Sequence, residues 1–192
     1  MEIREPFMSQ EDFFNDARAQ FSIVGPQISE AEINAVFTWT FPGKDDLVQF
    51  YLLNNGGSRS EQGSLAYCGN PEHQASRDHL EKIRIEGFFA IPHDPGQKML
   101  KYRSMIKYYA SRLQTFSEIP EMKAFLESHR PIASDHTGND CWIDIQSGRV
   151  QYILWDTWKE GPIEIASSFR EFVTKFWNNG FGGCPTDPPS SS

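Results

Sequence analysis

At 192 residues, with 26 acidic against 18 basic side chains and a formal net charge of −8, the chain is long enough for one domain with a substantial core, and its acidic balance argues against nucleic-acid binding, which requires clustered Lys and Arg. No segment approaches the ~20 consecutive apolar residues of a membrane span, and the opening MEIREPFMSQEDFF lacks the basic-then-apolar order of a secretory leader. The three cysteines, Cys68, Cys141 and Cys184, have no CxxC or zinc-ligand spacing, so free thiols in a reducing, cytosolic setting are expected, with Cys141 a small core residue.

Residues 9 to 19 read as a first helix, with Ser9 at the N-cap and Phe13, Phe14 and Ala17 on its apolar side. A stronger start signal follows. Ser29 and Glu32 make a capping box and Ile28 and Ile33 occupy the two positions of a hydrophobic staple, so a helix begins at Glu30, with Val36 and Phe37 on its apolar side and Pro42-Gly43 as its stop. Asp45 and Asp46 suit the positive end of a next helix carrying Leu47, Phe50, Tyr51 and Leu53. Asn54-Asn55-Gly56-Gly57 halts that helix, since glycine admits the left-handed backbone that closes one. The GGSRS that overlaps it has neither the Walker lysine nor GxGxxG spacing and gives no phosphate loop.

Residues 58 to 79 are polar and turn-rich, with a short strand near Leu65 to Cys68. LEKIRIEGFFAI, from Leu80 to Ile91, alternates and then turns continuously apolar, which predicts one or two strands broken or bulged at Gly87. HDPGQK is a turn, followed by a helical pattern through Tyr102, Ile106, Tyr109, Ala110 and Leu113. Pro120 resets the chain, and Glu121 to His129 is a short helix with Met122, Phe125 and Leu126 inward.

From Pro131 to Asp156 the chain is most informative. Pro131 begins an extended entry, DHTGND is a polar turn, and alternation along Cys141, Ile143 and Ile145, then along Val150, Tyr152 and Leu154, predicts an antiparallel hairpin. A two-residue turn at Ser147-Gly148 pairs Ile145 with Val150, Ile143 with Tyr152 and Cys141 with Leu154, giving one wholly apolar face. The opposite face carries Asp144, Gln146, Arg149 and Gln151 near the turn but Trp142, Ile153 and Trp155 toward the base. Such a face requires a cover, a helix in preference to a partner surface. TWKEGP is a loop. A last helix starts at Ser167 or Ser168, with Glu171 completing a capping box and Phe169, Phe172, Val173, Phe176 and Trp177 as its apolar stripe, and the Gly-, Pro- and Ser-rich residues 178 to 192 are a flexible tail.

Chemistry is weakly signalled. Ser134-Asp135-His136 contains the residue types of a catalytic triad, but neighbours on an extended chain point apart. DHTGND lacks the alternating oxygen ligands and distal Glu of a calcium loop, and a turn held by Asp and Asn side chains is the better reading. No histidine pair has metalloprotease spacing. The expectation is a non-enzyme with no metal and no cofactor.

Four stretches, ISEAEINAV, FPGKDDLVQFYLLNNGG, PIASDHTGNDCWIDI with GRVQYILWD, and IASSFREFVTKF, resemble in order and spacing the SUKH superfamily, the group of Smi/Knr-type fungal cell-wall regulators and many bacterial immunity proteins. Phe41-Pro42 replaces the family's usual Leu-Pro, and the segment from Pro92 to Glu118 is an addition. The resemblance implies an α+β fold in which helices pack on a mostly antiparallel sheet, here a single domain over residues 1–177. It also implies non-enzymatic binding of a protein partner, most often a cognate toxin domain, with a scaffold or regulatory role as the alternative. The candidate contacts are Asp135, Asp140, Trp142, Asp144, Trp155, Asp156 and Trp158, which combine carboxylates for steering with aromatic anchors, while Gly56, Gly57, Gly138, Asn139 and Gly148 are structural.

Overall fold

A computed structural model describes residues 23–58, 65–67, 83–91, 104–135 and 137–178. The helix expected over residues 9 to 19, the HDPGQK turn, His136, Cys68, Cys184 and residues 179–192 lie outside the described residues.

Among the described residues, eight strands form one antiparallel sheet: β1 (Ile23–Val24), β2 (Gly57–Ser58), β3 (Leu65–Tyr67), β4 (Ile83–Phe88), β5 (His129–Asp135), β6 (Asp140–Asp144), β7 (Val150–Ile153) and β8 (Ile163–Ala166). Their order is β1-β2-β4-β5-β6-β7-β8, with β3 also paired to β4. The described helices that accompany it are α1 (Glu30–Val36), α2 (Lys44–Leu53), α3 (Met105–Phe116), α4 (Pro120–Ser128) and α5 (Phe169–Asn178). The α+β class expected from the sequence is the one observed.

Local chemistry accounts for the helix ends. Glu32 Oε2 accepts from the backbone N–H of Ser29 at 2.9 Å while Ser29 Oγ accepts from the Glu32 N–H at 3.3 Å, closing both sides of the capping box, and Ile28 and Ile33 are both buried. The helix stops at Val36, earlier than Pro42 requires, and Phe37 to Phe41 form an irregular link. After α2, Asn55 acts as a backbone substitute: its Nδ2 donates to the Ile91 carbonyl at 2.7 Å and its Oδ1 accepts from the Ile91 N–H at 2.8 Å. Gly56 follows at φ +68°, where a Cβ would lie 2.7 Å from the Ala90 nitrogen, so the chain can pass β4 only without a side chain. The bulge expected at Gly87 appears as a register shift between Ile85 and Gly87 against β5.

The hairpin differs from its predicted register. Cys141 pairs with Tyr152 and Ile143 with Val150, two residues away from the pairing that a two-residue turn dictates. Four residues, Ile145 to Gly148, make the connection, because Asp144 caps it: its carboxylate accepts from the Gln146 N–H at 2.8 Å and the Ser147 hydroxyl at 2.6 Å, and its carbonyl accepts from the Gly148 N–H at 2.9 Å. A slip of two keeps every side chain on its face. Two further elements went unread. The extended entry from Pro131 is part of a seven-residue strand, β5, that lies between β4 and β6, and Ile163–Ala166 extends the sheet as β8 after a 3-10 segment, Trp155–Glu160, that takes up the end of the predicted hairpin and most of the stretch read as loop.

The sheet separates two cores. On one face α1, α2 and α5 bury Ile33, Phe37, Phe50, Tyr51, Phe169 and Phe172 against Phe88, Cys141, Ile143 and Tyr152. On the other, Met122 and Leu126 of α4 close over Trp142 and Ile153, with Tyr109, Leu113 and Phe116 of α3 around them. The helix cover expected for the hairpin's outer face is therefore present. The face of α3 matches its predicted stripe in part: Tyr109 and Leu113 pack inward, but Ile106 and Ala110 are exposed, while Met105, Tyr108, Arg112 and Phe116 also turn inward. Tyr108 stacks on Phe89 at 4.6 Å, and the polar tips of Tyr108 and Arg112 hide this stripe from a count of aliphatic residues.

Candidate functional site

Of the seven candidate contacts, three are interior. Asp135 ends β5 and holds the DHTGND turn together: Oδ1 accepts from the N–H groups of Thr137 and Asn139, both at 2.8 Å, and Oδ2 from the hydroxyls of Thr137 and Tyr152, both at 2.6 Å. Burial works to raise its pKa, but these hydrogen bonds outweigh it and hold the carboxyl below the usual range. The carboxylate thereby serves as a turn organiser, and Asn139 extends the lattice by accepting the Trp155 N–H at 3.2 Å.

Asp140 has no exposed surface. Its Oδ2 accepts from Trp155 Nε1 at 2.5 Å, from the Tyr108 hydroxyl and, at 3.4 Å, from Arg112 Nη2. The Arg112 guanidinium lies 4.2 Å from the Trp155 ring and 4.8 Å from Tyr108, and its Nη2 also donates to the Gly138 carbonyl at 3.2 Å. This cluster joins α3 to the start of β6 and to the 3-10 segment. Trp142 is likewise fully buried, edge-on to Phe125 at 5.5 Å and to Trp155 at 6.0 Å. Asp135, Asp140 and Trp142 are thus corrected to internal structure, since no partner reaches them without opening the domain.

The other four stand nearer the surface. Asp144 caps the hairpin connection, as described above, and Trp155 is half-buried under Phe116, whose ring stacks on it at 4.9 Å. Asp156 is exposed, Trp158 half-buried, and Lys159 Nζ lies 5.9 Å over the Trp158 ring. The structure brings Trp158 together with residues that the sequence reading did not single out. A groove of about 500 Å³ lies between the first turn of α4 and the 3-10 segment. Its floor and walls are Met122, Phe125, Ile153, Trp158 and Pro162, and Glu121 and Lys159 carry opposite charges on its edge. Pro162 and Phe125 had no signal as a pair, because they meet only once β8 folds back beside β7.

His129 is the remaining titratable group of this outer layer. Its ring stacks on Phe125 at 4.0 Å, Nδ1 lies 2.8 Å from the Phe125 carbonyl, and Nε2 lies 3.0 Å from the Gln151 amide. Burial pushes its pKa down, against the hydrogen bonds to the Phe125 carbonyl and the Gln151 side-chain oxygen, which act to raise it. The buried Cys141 thiol is pushed up by the same desolvation and is a core group. Among the described residues no group of three or more His, Cys, Asp or Glu side chains is arranged to hold a metal ion, and no helix is long and apolar enough to cross a membrane.

Comparison with family models matches residues 28–175 to the SMI1 / KNR4 family (SUKH-1). That span includes α3, so the segment from Pro92 to Glu118, which departs from the stretches carrying the resemblance, sits within the family domain. Comparison with curated proteins and with solved structures returned no match. With the capped α1, the Asn55-Gly56 closure of α2, the hairpin and most of the final helix inside the matched span, the chain belongs to the SMI1 / KNR4 family (SUKH-1).

Proposed function

We propose that this chain is a non-enzymatic immunity protein that binds and neutralises a cognate bacterial toxin domain in the cytosol. Family membership supports a protein-binding role, and the groove between α4 and the 3-10 segment carries the reading further. Trp158, Phe125 and Pro162 offer an apolar recess for an inserted side chain, and the opposed charges of Glu121 and Lys159 fix the orientation of what enters. A hydrolase reading loses ground because the carboxylate that suggested it, Asp135, already accepts from five donors, and the neighbouring Asp140 from three. The net charge of −8 favours encounter with a basic partner.

The test is coexpression with the protein encoded by the neighbouring gene. Rescue of growth together with recovery of a stable complex is the expected result. Growth arrest despite a well-expressed, folded chain would turn the reading toward the scaffold or regulatory role. A rescue that needed no complex, and that failed on Asp135→Asn with the fold intact, would point to catalysis.

A further inference from the structure

Arg130, in β5, is held in place by one end of its guanidinium. Nη1 donates to the carbonyls of His129 at 2.7 Å and Leu126 at 3.1 Å and to the Tyr109 hydroxyl at 3.3 Å. The guanidinium sits between two rings, 4.2 Å from the Trp39 centroid and 4.6 Å from that of Tyr109. The other edge, Nε–H with Nη2–H, is the side-on fork with which arginine grips a carboxylate. That fork has no partner among the described residues, and neither nitrogen is one of the buried atoms lacking a bond. Arg170 shows the same fork filled, Nε donating to Asp46 Oδ2 at 3.0 Å and Nη2 to Oδ1.

The surroundings match an interface anchor. Trp39 and Ile106, 38% and 47% exposed, are the two large apolar side chains exposed among the described residues. Trp39 rests on the guanidinium, and Ile106 stands one turn before Tyr109 on α3. Trp, Tyr and Arg are the residue types on which binding energy concentrates, and a fork already immobilised loses little further entropy on binding.

We propose that the Trp39–Arg130–Tyr109 stack is an anchor for a carboxylate side chain of the protein partner, gripped side-on by Arg130 while Trp39 and Ile106 receive the apolar residues flanking it. This rests on the protein-partner reading above. It is separable from the groove, because Arg130 is held at the C-terminal end of α4 whereas Glu121 and Met122 line the groove at its start.

The experiment is calorimetric titration of the chain with the protein encoded by the neighbouring gene, the partner used in the coexpression test. Arg130→Lys keeps the charge and loses the fork, and Trp39→Ala removes one ring; each is expected to weaken binding roughly tenfold or more, while circular dichroism and thermal melting show both variants folded. Trp158→Ala provides the groove comparison. If Arg130→Lys and Trp39→Ala bind within about twofold of the wild type, a difference of about 0.4 kcal/mol, while Trp158→Ala is weakened, the anchor is overturned and the partner reading stands. No binding by the wild-type chain overturns both. Displacement of the partner by inorganic phosphate but not by acetate would reassign the fork to a phosphate and overturn the carboxylate.

Discussion

The two faces of the sheet are closed by different chemistry. On the α1–α2–α5 side the buried groups are almost wholly apolar, with Phe50 at the centre of rings from Tyr51, Phe88 and Phe169 at 4.8 to 5.5 Å. On the α3–α4 side, aromatics of similar size surround a buried carboxylate and an arginine, and the layer ends in an open groove. The first face gives stability that depends on shape alone. The second also fixes geometry, because Asp140 satisfies Trp155, Tyr108 and Arg112 in one arrangement only, and that arrangement sets where the 3-10 segment and Trp158 stand.

Perturbing each face should separate these roles. Phe50→Ala leaves a cavity in the apolar core and should cost about 3–5 kcal/mol, read as a lower urea midpoint with an unchanged slope. Asp140→Ala strands three donors and should cost about 3 kcal/mol, and adding Trp155→Phe, which deletes one of those donors, should cost less than the sum of the two single changes. Strict additivity there would contradict a shared network. Gly148→Ala meets both a left-handed φ of +74° and a Pro42 carbonyl oxygen 2.1 Å from the new Cβ, so a loss of at least about 1 kcal/mol is expected, measured by thermal melting.

The pH dependence is the smallest effect and is not confined to one face, since His129 stacks on Phe125 of the outer layer whereas Asp135 holds Tyr152 of the inner core. His129 has a depressed folded-state pKa, so the unfolded chain takes up its proton first: its contribution is complete above the usual value of 6.5 and is lost as pH falls through the lower, folded value. Asp135 and Asp144 are also depressed, chiefly by hydrogen bonds that overcome burial, so their contribution is present above the usual 3.8 and disappears below it. Stability should therefore fall in two stages on acidification, and His129→Gln should flatten the first stage and leave the second. A first stage unchanged in that variant would assign it to another group.

Much of the frame was legible because its signals are local. Ser29–Glu32 and Ser168–Glu171 mark helix starts within four residues, and the Glu171 N–H donates to Ser168 Oγ at 3.1 Å as the spacing implied. Hairpin parity was legible too, since it needs only alternation. Its register was not, because the deciding group is the Asp144 side chain rather than the Ser147-Gly148 pair. Three of the candidate contacts, Asp135, Asp140 and Trp142, lie inside for a related reason. A carboxylate in a polar turn reads as surface, and Asp140 becomes interior only through Tyr108 and Arg112, 32 and 28 residues earlier on a helix whose inward face is polar-tipped. β8 was missed because IEIA is four residues long and follows Gly161-Pro162 directly.

The central claim is that the outer layer presents the binding surface and the inner layer does not. Amide hydrogen exchange of the chain, free and in complex with a protein that coexpression recovers bound to it, tests this most directly. Added protection over residues 120–126 and 155–162, with the exposed amides of α2 and α5 unchanged, is the predicted result; protection gained on α2 and α5 with the groove unchanged would contradict it.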